Sequence, residues 1–217
     1  AAHIQADLAS GASSTLVLNR TLVASVVVSD AGTVALTDTQ ALVAGVADST
    51  GAVMARLTGG SFTVSSATIA HLDALAALTV PPASIAVVDT TAAIQSDLVS
   101  GSSRLLAHRA VLSGIAASGG TITLTAAQVR AAHVDDGAGS IFSLLSGATL
   151  VVSGVFVADA DTIAGLPVAP QSFAISDTAA AIQADLALGS GSRLLAHLSV
   201  ISGIGISNAG TVSLTAT

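Results

Sequence analysis

The segment Asp89-Thr-Thr-Ala-Ala-Ile-Gln-Ser-Asp-Leu98 returns as Asp177-Thr-Ala-Ala-Ala-Ile-Gln-Ala-Asp-Leu186, a step of 88 residues, and a third copy, Ala1-Ala-His-Ile-Gln-Ala-Asp-Leu8, opens the chain. The match is long. Met54-Ala-Arg-Leu-Thr-Gly-Gly-Ser-Phe-Thr-Val-Ser65 aligns without gaps to Phe142-Ser-Leu-Leu-Ser-Gly-Ala-Thr-Leu-Val-Val-Ser153. The register holds through Asp73/Asp161, Leu78/Leu166 and Pro82/Pro170. A weaker half-repeat lies inside each unit, since Asp48-Ser-Thr-Gly-Ala-Val-Met-Ala-Arg-Leu57 and Asp136-Gly-Ala-Gly-Ser-Ile-Phe-Ser-Leu-Leu145 resemble the segment at Asp89. Self-similarity at long period is the signature of stacked units that share one core. It divides the chain into an N-terminally incomplete unit 1–88, a full unit 89–176 and the first half of a third, 177–217.

Each half-unit has a local logic. Residues 172–176, Ser-Phe-Ala-Ile-Ser, alternate polar and apolar, as a short strand does. Asp177 follows in an N-cap position, ahead of an Ala-rich helical stretch, 179–188, that Gly189-Ser-Gly191 ends. Residues 200–206 and 211–215 then read as strands joined by the turn signal Asn208-Ala-Gly210. Residues 33–37 and 121–125 are the matching strands, and 126–133 reads as another short helix. Strands alternating with short helices imply an α/β class with parallel pairing. The expected architecture is a repeat solenoid of period about 88 residues, with equivalent strands of successive units stacked into parallel sheets and short helices covering them. A set of small separate α/β domains is the alternative, which the absence of linkers disfavours.

Composition narrows the function. Hydrophobic residues make up 52% of the chain but aromatics only 2%, without Trp or Tyr. The core must be aliphatic, and the usual anchors for sugars and bases are missing. All 13 acids are Asp and all six bases Arg, for a net charge of −7. Such a chain repels a phosphate backbone and anionic membranes, so no nucleic-acid partner is expected. The absence of Cys excludes disulfides and thiolate sites. No apolar run approaches the ~18–20 residues of a membrane span, so no membrane insertion is expected. The chain starts without Met, inside a repeat copy. It therefore reads as processed, or as part of a longer protein. Its ends lack the polar character of capping repeats, so it is expected to join end to end with more of itself.

The candidate chemistry is thin. Asp48, Asp89, Asp136 and Asp177 each stand before a helical stretch and read as helix caps. Asp7, Asp97 and Asp185 recur one residue before the helix Leu and read as a solvated helix surface. Arg56 holds the matching place in one half-unit and could form a ladder of ion pairs with Asp7 and Asp97. The five His residues lack the i, i+4 spacing of a helical metal site. Asp135-Asp136 and Asp159-Ala-Asp161 are the only local acid clusters, and calcium is the one cofactor they could admit, without an EF-hand pattern. No Gly-x-Ser-x-Gly elbow or P-loop occurs. No catalytic residue is assigned, and an enzyme is not expected.

The motif Asp-Thr-Ala-Ala-x-Ile-Gln-x-Asp-Leu, followed by Ala-Gly-Thr-Val-x-Leu-Thr and Ala-Gln, resembles the repeats of large Ala/Thr/Val/Gly-rich surface proteins of Gram-negative bacteria. Those are adhesin-like or surface-layer-like proteins, often exported by type I secretion. The resemblance spans almost the whole chain through its repeats. It implies an extracellular structural module (a filament, a surface lattice or an adhesin stalk), with further copies of itself as partner and a surface glycan as the one outside partner to consider. It carries over no catalytic residue. The rival expectation is a carbohydrate-binding module or a β-helix enzyme acting on polysaccharide.

Overall fold

The computed structural model describes residues 1–213. Its strands are short: β1 Val26–Val27, β2 Thr33–Leu36, β3 Leu57–Thr58, β4 Ser61–Ala67, β5 Ile85–Asp89, β6 Leu112–Ala117, β7 Thr121–Thr125, β8 Leu145–Ser146, β9 Thr149–Val155, β10 Ser172–Asp177 and β11 Ile201–Ile206. In their regular stretches every second side chain points inward. In β7, Ile122 and Leu124 are buried between three exposed threonines. The helices run from four to nine residues. That is too short to be stable alone, so each depends on packing, and all but Ala2–Leu8, Leu72–Ala76 and Ala160–Ala164 also have a side-chain cap.

Every strand pair among the described residues is parallel. The strands form a pair β1-β3, a five-stranded sheet β2-β4-β5-β6-β8 and a four-stranded sheet β11-β10-β9-β7. Thr33 lies beside Ser61 and Thr121 beside Thr149, a step of 28 residues. The step shortens to 21 where Val64 meets Ile85 and where Val152 meets Phe173.

This corrects one expectation. Equivalent strands 88 residues apart do not pair: β2 and β7, β4 and β9, and β5 and β10 belong to different sheets. A parallel pair needs a crossover of only a dozen or more residues. A step of 21 to 31 residues already supplies that, so each strand pairs with the next pass of the chain. The five-stranded sheet runs from Thr33 to Ser146 and crosses the unit boundary at Asp89.

Glycines turn the chain between the two strands of one pass. Gly147, between β8 and β9, has φ +77° and rests its Cα against the carbonyl of Ala117. Gly59, between β3 and β4, rests in the same way on Val28. No side chain fits there. The interior is one cluster running from Leu8 to Leu194, built of Val, Leu, Ile and Ala with Phe62, Phe142 and Phe173. No helix is long and apolar enough to cross a membrane, among the residues described.

Several expected bounds shift. The helix at 179–188 ends at Leu186, and the stretch at 126–133 is helical only over Ala126–Val129. His133 then turns the chain with φ +69°. Of the strand expected at 211–215, residues 211–213 are not strand, and the rest lies outside the described residues.

Candidate functional site

The recurrent Asp before the helix Leu is not a solvated surface residue. Asp97 and Asp185 are only 8% and 4% exposed. Asp97 accepts from Ser103 Oγ at 2.6 Å, from Arg104 N at 3.0 Å and from Leu105 N at 3.1 Å. Asp185 repeats this with Ser192 Oγ, Arg193 N and Leu194 N, and Asp7 with Ser14 Oγ, Thr15 N and Leu16 N. In each copy the carboxylate at the end of one helix seizes the free amides at the start of the next. Those amides have no partner within their own helix, and the helix dipole there favours an anion. Burial works against the charge of Asp7 and Asp185, but the hydrogen bonds from serine and backbone outweigh it and hold both below the ordinary 3.8. The spacing from Asp to Ser is six residues in one copy and seven in the other two. The longer link contains a 3-10 turn, Gly11–Ser13 or Gly189–Gly191. No ion-pair ladder forms with Arg56, whose Nη1 donates to the carbonyl of Val23 at 2.6 Å.

The expected Asp caps are corrected too. Thr90 and Thr178 cap the helices Thr91–Val99 and Ala179–Leu186, accepting from Ala93 N and Ala181 N. Asp89 and Asp177 are the last residues of β5 and β10. They fix the cap by accepting from Thr90 N or Thr178 N, and reach back to Ile69 N or Val157 N with the other oxygen. Asp48 accepts from Gly45 N and Asp136 from His133 N, so both close turns. At Asp89 and Asp177 the residue with extended backbone one step later does the capping, whereas after Asp136 the cap of the helix Ile141–Leu144 is Ser140, and the turn Met54–Arg56 after Asp48 has no side-chain cap.

The remaining charges pair locally. Asp73 takes Arg104 Nε at 2.6 Å and His108 Nε2 at 2.8 Å, and Asp161 takes Arg193 and His197 in the same way. The partners' hydrogen bonds hold Asp73 and Asp161 below the usual carboxylate range. Asp38 is buried and gathers His71 Nδ1, Thr68 N and Thr68 Oγ1. Asp159 pairs with Arg130, and Asp136 with His133. The four calcium candidates are thus divided among separate partners. No group of three His or Asp side chains that could hold a metal comes together among the described residues.

Asp135 is the exception in this set. It is 4% exposed, one oxygen accepts from Val168 N at 3.1 Å, and the other is buried without a partner. Burial pushes its carboxyl above the ordinary value.

A groove of about 890 Å³ lies between the helix Thr91–Val99, the helix Arg104–His108 and residues 68–73. Thr68, Ser96, Ser100 and Ser102 line it beside the residues that hold the fold. In the next unit the matching places of three of them carry Phe156, Ala184 and Leu188, with Phe156 55% and Leu188 59% exposed. Ser103, in this groove, is placed as a helix cap and is not hydrogen-bonded to an imidazole. Ser103 Oγ donates to Asp97 while accepting from Leu106 N, and the nearby imidazole, His108, has its Nε2 on Asp73. No histidine stands between hydroxyl and carboxylate to move a proton.

Sequence reasoning missed the Asp-to-helix clamp and the Asp-Arg-His triplets. The signal was present: Asp73/Asp161 recur at 88 residues and Arg-Leu-Leu-Ala-His at 89. Comparison with protein-family models, with curated proteins and with solved structures finds no match.

Proposed function

We propose that this chain is a non-catalytic structural repeat module, a parallel solenoid of 88-residue units from a secreted bacterial surface protein, serving in an extracellular filament, surface lattice or adhesin stalk. The observation that carries the reading is where the polar side chains are spent. Asp7, Asp97 and Asp185 clamp successive helices, and Asp73 and Asp161 tie the helix before β5 or β10 to the second helix after that strand. These groups recur because the fold needs them in every unit. A chain built this way stiffens along its length through neighbour contacts and one apolar interior. Its partner on this reading is more of the same chain, within one polypeptide or between copies, and the acidic surface disfavours nucleic acid. The place of action is the cell surface or beyond, and no cofactor is required.

Electron microscopy of the purified protein at rising concentration is the test. Rods, filaments or ordered sheets are expected. Compact monomers at every concentration, together with cleavage of a polysaccharide, would overturn the proposal. The second reading, a carbohydrate-binding module, rests on the hydroxyl-lined groove beside Asp73 and Arg104. Saturable glycan binding lost in Ser96→Leu would favour it.

A further inference from the structure

Five of the six glutamines in this chain do related work. Gln5 Oε1 accepts from Ala35 N at 3.2 Å, Gln95 Oε1 from Thr123 N at 2.8 Å, and Gln183 Oε1 from Ser213 N at 3.0 Å. Gln40 Oε1 accepts from Thr37 N at 2.9 Å, and Gln128 Oε1 from Thr125 N at 2.8 Å. Ala35 lies in β2, and Thr123 and Thr125 lie in β7, the terminal strands of their sheets. Along a strand, residues two apart turn their amides to the same side. Ala35 and Thr37 therefore belong to one row, and Thr123 and Thr125 to another. Each row faces away from the neighbouring strand, towards the sheet edge, and in each two successive amides are taken by a pair of glutamine oxygens.

The helices Ala2–Leu8 and Thr91–Val99, which carry Gln5 and Gln95, pack against β2 and β7, and Gln40 and Gln128 complete the capping boxes of the helices that follow these strands. Such an edge, once uncovered, is a template for another chain. Thr121-Ile-Thr-Leu-Thr125 is uncharged, β-branched and alternating, the type of segment that adds strands readily. Lysine, a common edge guard, is absent from this protein. We infer that the outer edges of β2 and β7 are pairing surfaces for an extended strand of a second copy of this chain, and that Gln5 with Gln40 and Gln95 with Gln128 hold them shut. The second copy is the fitting partner because its own β2 and β7 carry the same alternation, Thr33-Val-Ala-Leu-Thr37 and Thr121-Ile-Thr-Leu-Thr125. The consequence is directional. Copies cannot add sideways at these edges, whatever contact they make elsewhere. The inference does not depend on the surface-protein reading, because the locks would serve any chain with this sheet order.

Gln95→Met keeps the length of the side chain and removes the acceptor, whereas Gln95→Glu keeps an acceptor. Ile94→Val, one residue away in the core of the same helix, is the control for loss of stability alone. Hydrogen exchange at the Thr123 amide and sedimentation over a concentration series are read on the full chain. Gln95→Met should exchange at Thr123 at least tenfold faster than the parent and form β-rich oligomers where the parent does not, while Gln95→Glu and Ile94→Val keep the parent's association state. Fast exchange at Thr123 without any change in association would overturn the inference, as would Ile94→Val associating as strongly as Gln95→Met. Should Gln95→Met fail to fold, Gln5→Met asks the same question of Ala35 in the other sheet.

Discussion

Asp185 is charged, almost enclosed and bound by one hydroxyl and two backbone amides. Removing it strands three donors at the start of the helix Arg193–Ala196. Asp185→Ala should therefore lower stability by about 2–4 kcal/mol, measured by urea unfolding, since each buried group left unpaired costs ~1–3 kcal/mol and water recovers part of it. The pH dependence follows from the direction of the shifts. The folded-state pKa values of Asp7, Asp38 and Asp185 lie below the ordinary 3.8. Their stabilisation is complete above that value and fades as pH falls from it through the lower folded values. Acid unfolding should set in below about pH 4, and Asp185→Ala should lose its difference from the parent there. Asp135 has the opposite sign. Its carboxyl is raised, so the folded chain carries a penalty at neutral pH that is absent below the unfolded value. The first unit has Ala47 at the same place, and there Val80 N bonds the Ala47 carbonyl instead. Asp135→Ala should thus be neutral or stabilising by roughly 1 kcal/mol at pH 7, with the gain vanishing in acid. A clear loss of stability at pH 7 would mean that the unpartnered oxygen serves a purpose the fold does not reveal.

Among the elements, what the sequence made legible was local. Alternation marked β7 and β10, and the Ala-rich runs marked the helices over Thr91–Val99 and Ala179–Leu186. The caps at Asp89 and Asp177 were misplaced by one residue because Asp89 and Thr90 both bind amides near the helix start, and only backbone geometry separates the two roles. Thr178→Ala should cost about 1 kcal/mol through loss of the bond to Ala181 N, with Ser restoring most of it in thermal melts. Strand partners were not legible. Pairing is a non-local choice, and a period of 88 residues contains three shorter passes, with steps of 28, 21 and 28 residues along β7-β9-β10-β11, whose likeness is weak. The Asp97 clamp was hidden for a related reason, since a charge on a short Ala-rich helix looks solvated until the next helix folds over it. The corners add a test of stacking. Gly147→Ala would drive a Cβ into the carbonyl of Ala117 and strain a φ of +77°, whereas Gly101 faces open space. Gly147→Ala should lower the melting temperature strongly and Gly101→Ala scarcely at all. Equal effects would mean that the passes do not press on each other at β6 and β8.

For the whole molecule, the repeat period and the sheet boundaries are out of phase. The unit changes at Asp89, inside the sheet that runs from β2 to β8. A sheet is therefore shared by two units, and the chain has no natural break at 88. The clamps, triplets and glutamine locks recur at offsets of 88 to 90 residues, so a unit can be removed without mismatching the faces that remain. Excision of residues 89–176 is the most direct measurement, because it joins Val88 to Asp177 within one strand pattern and keeps every clamp paired with its own serine. The shortened chain should fold cooperatively, with circular dichroism per residue and a melting temperature close to the parent's, because each unit depends on its neighbours alone. A shortened chain that is unfolded or molten, while the parent melts as one unit, would contradict the account of a repeating module and leave a single globular domain in its place.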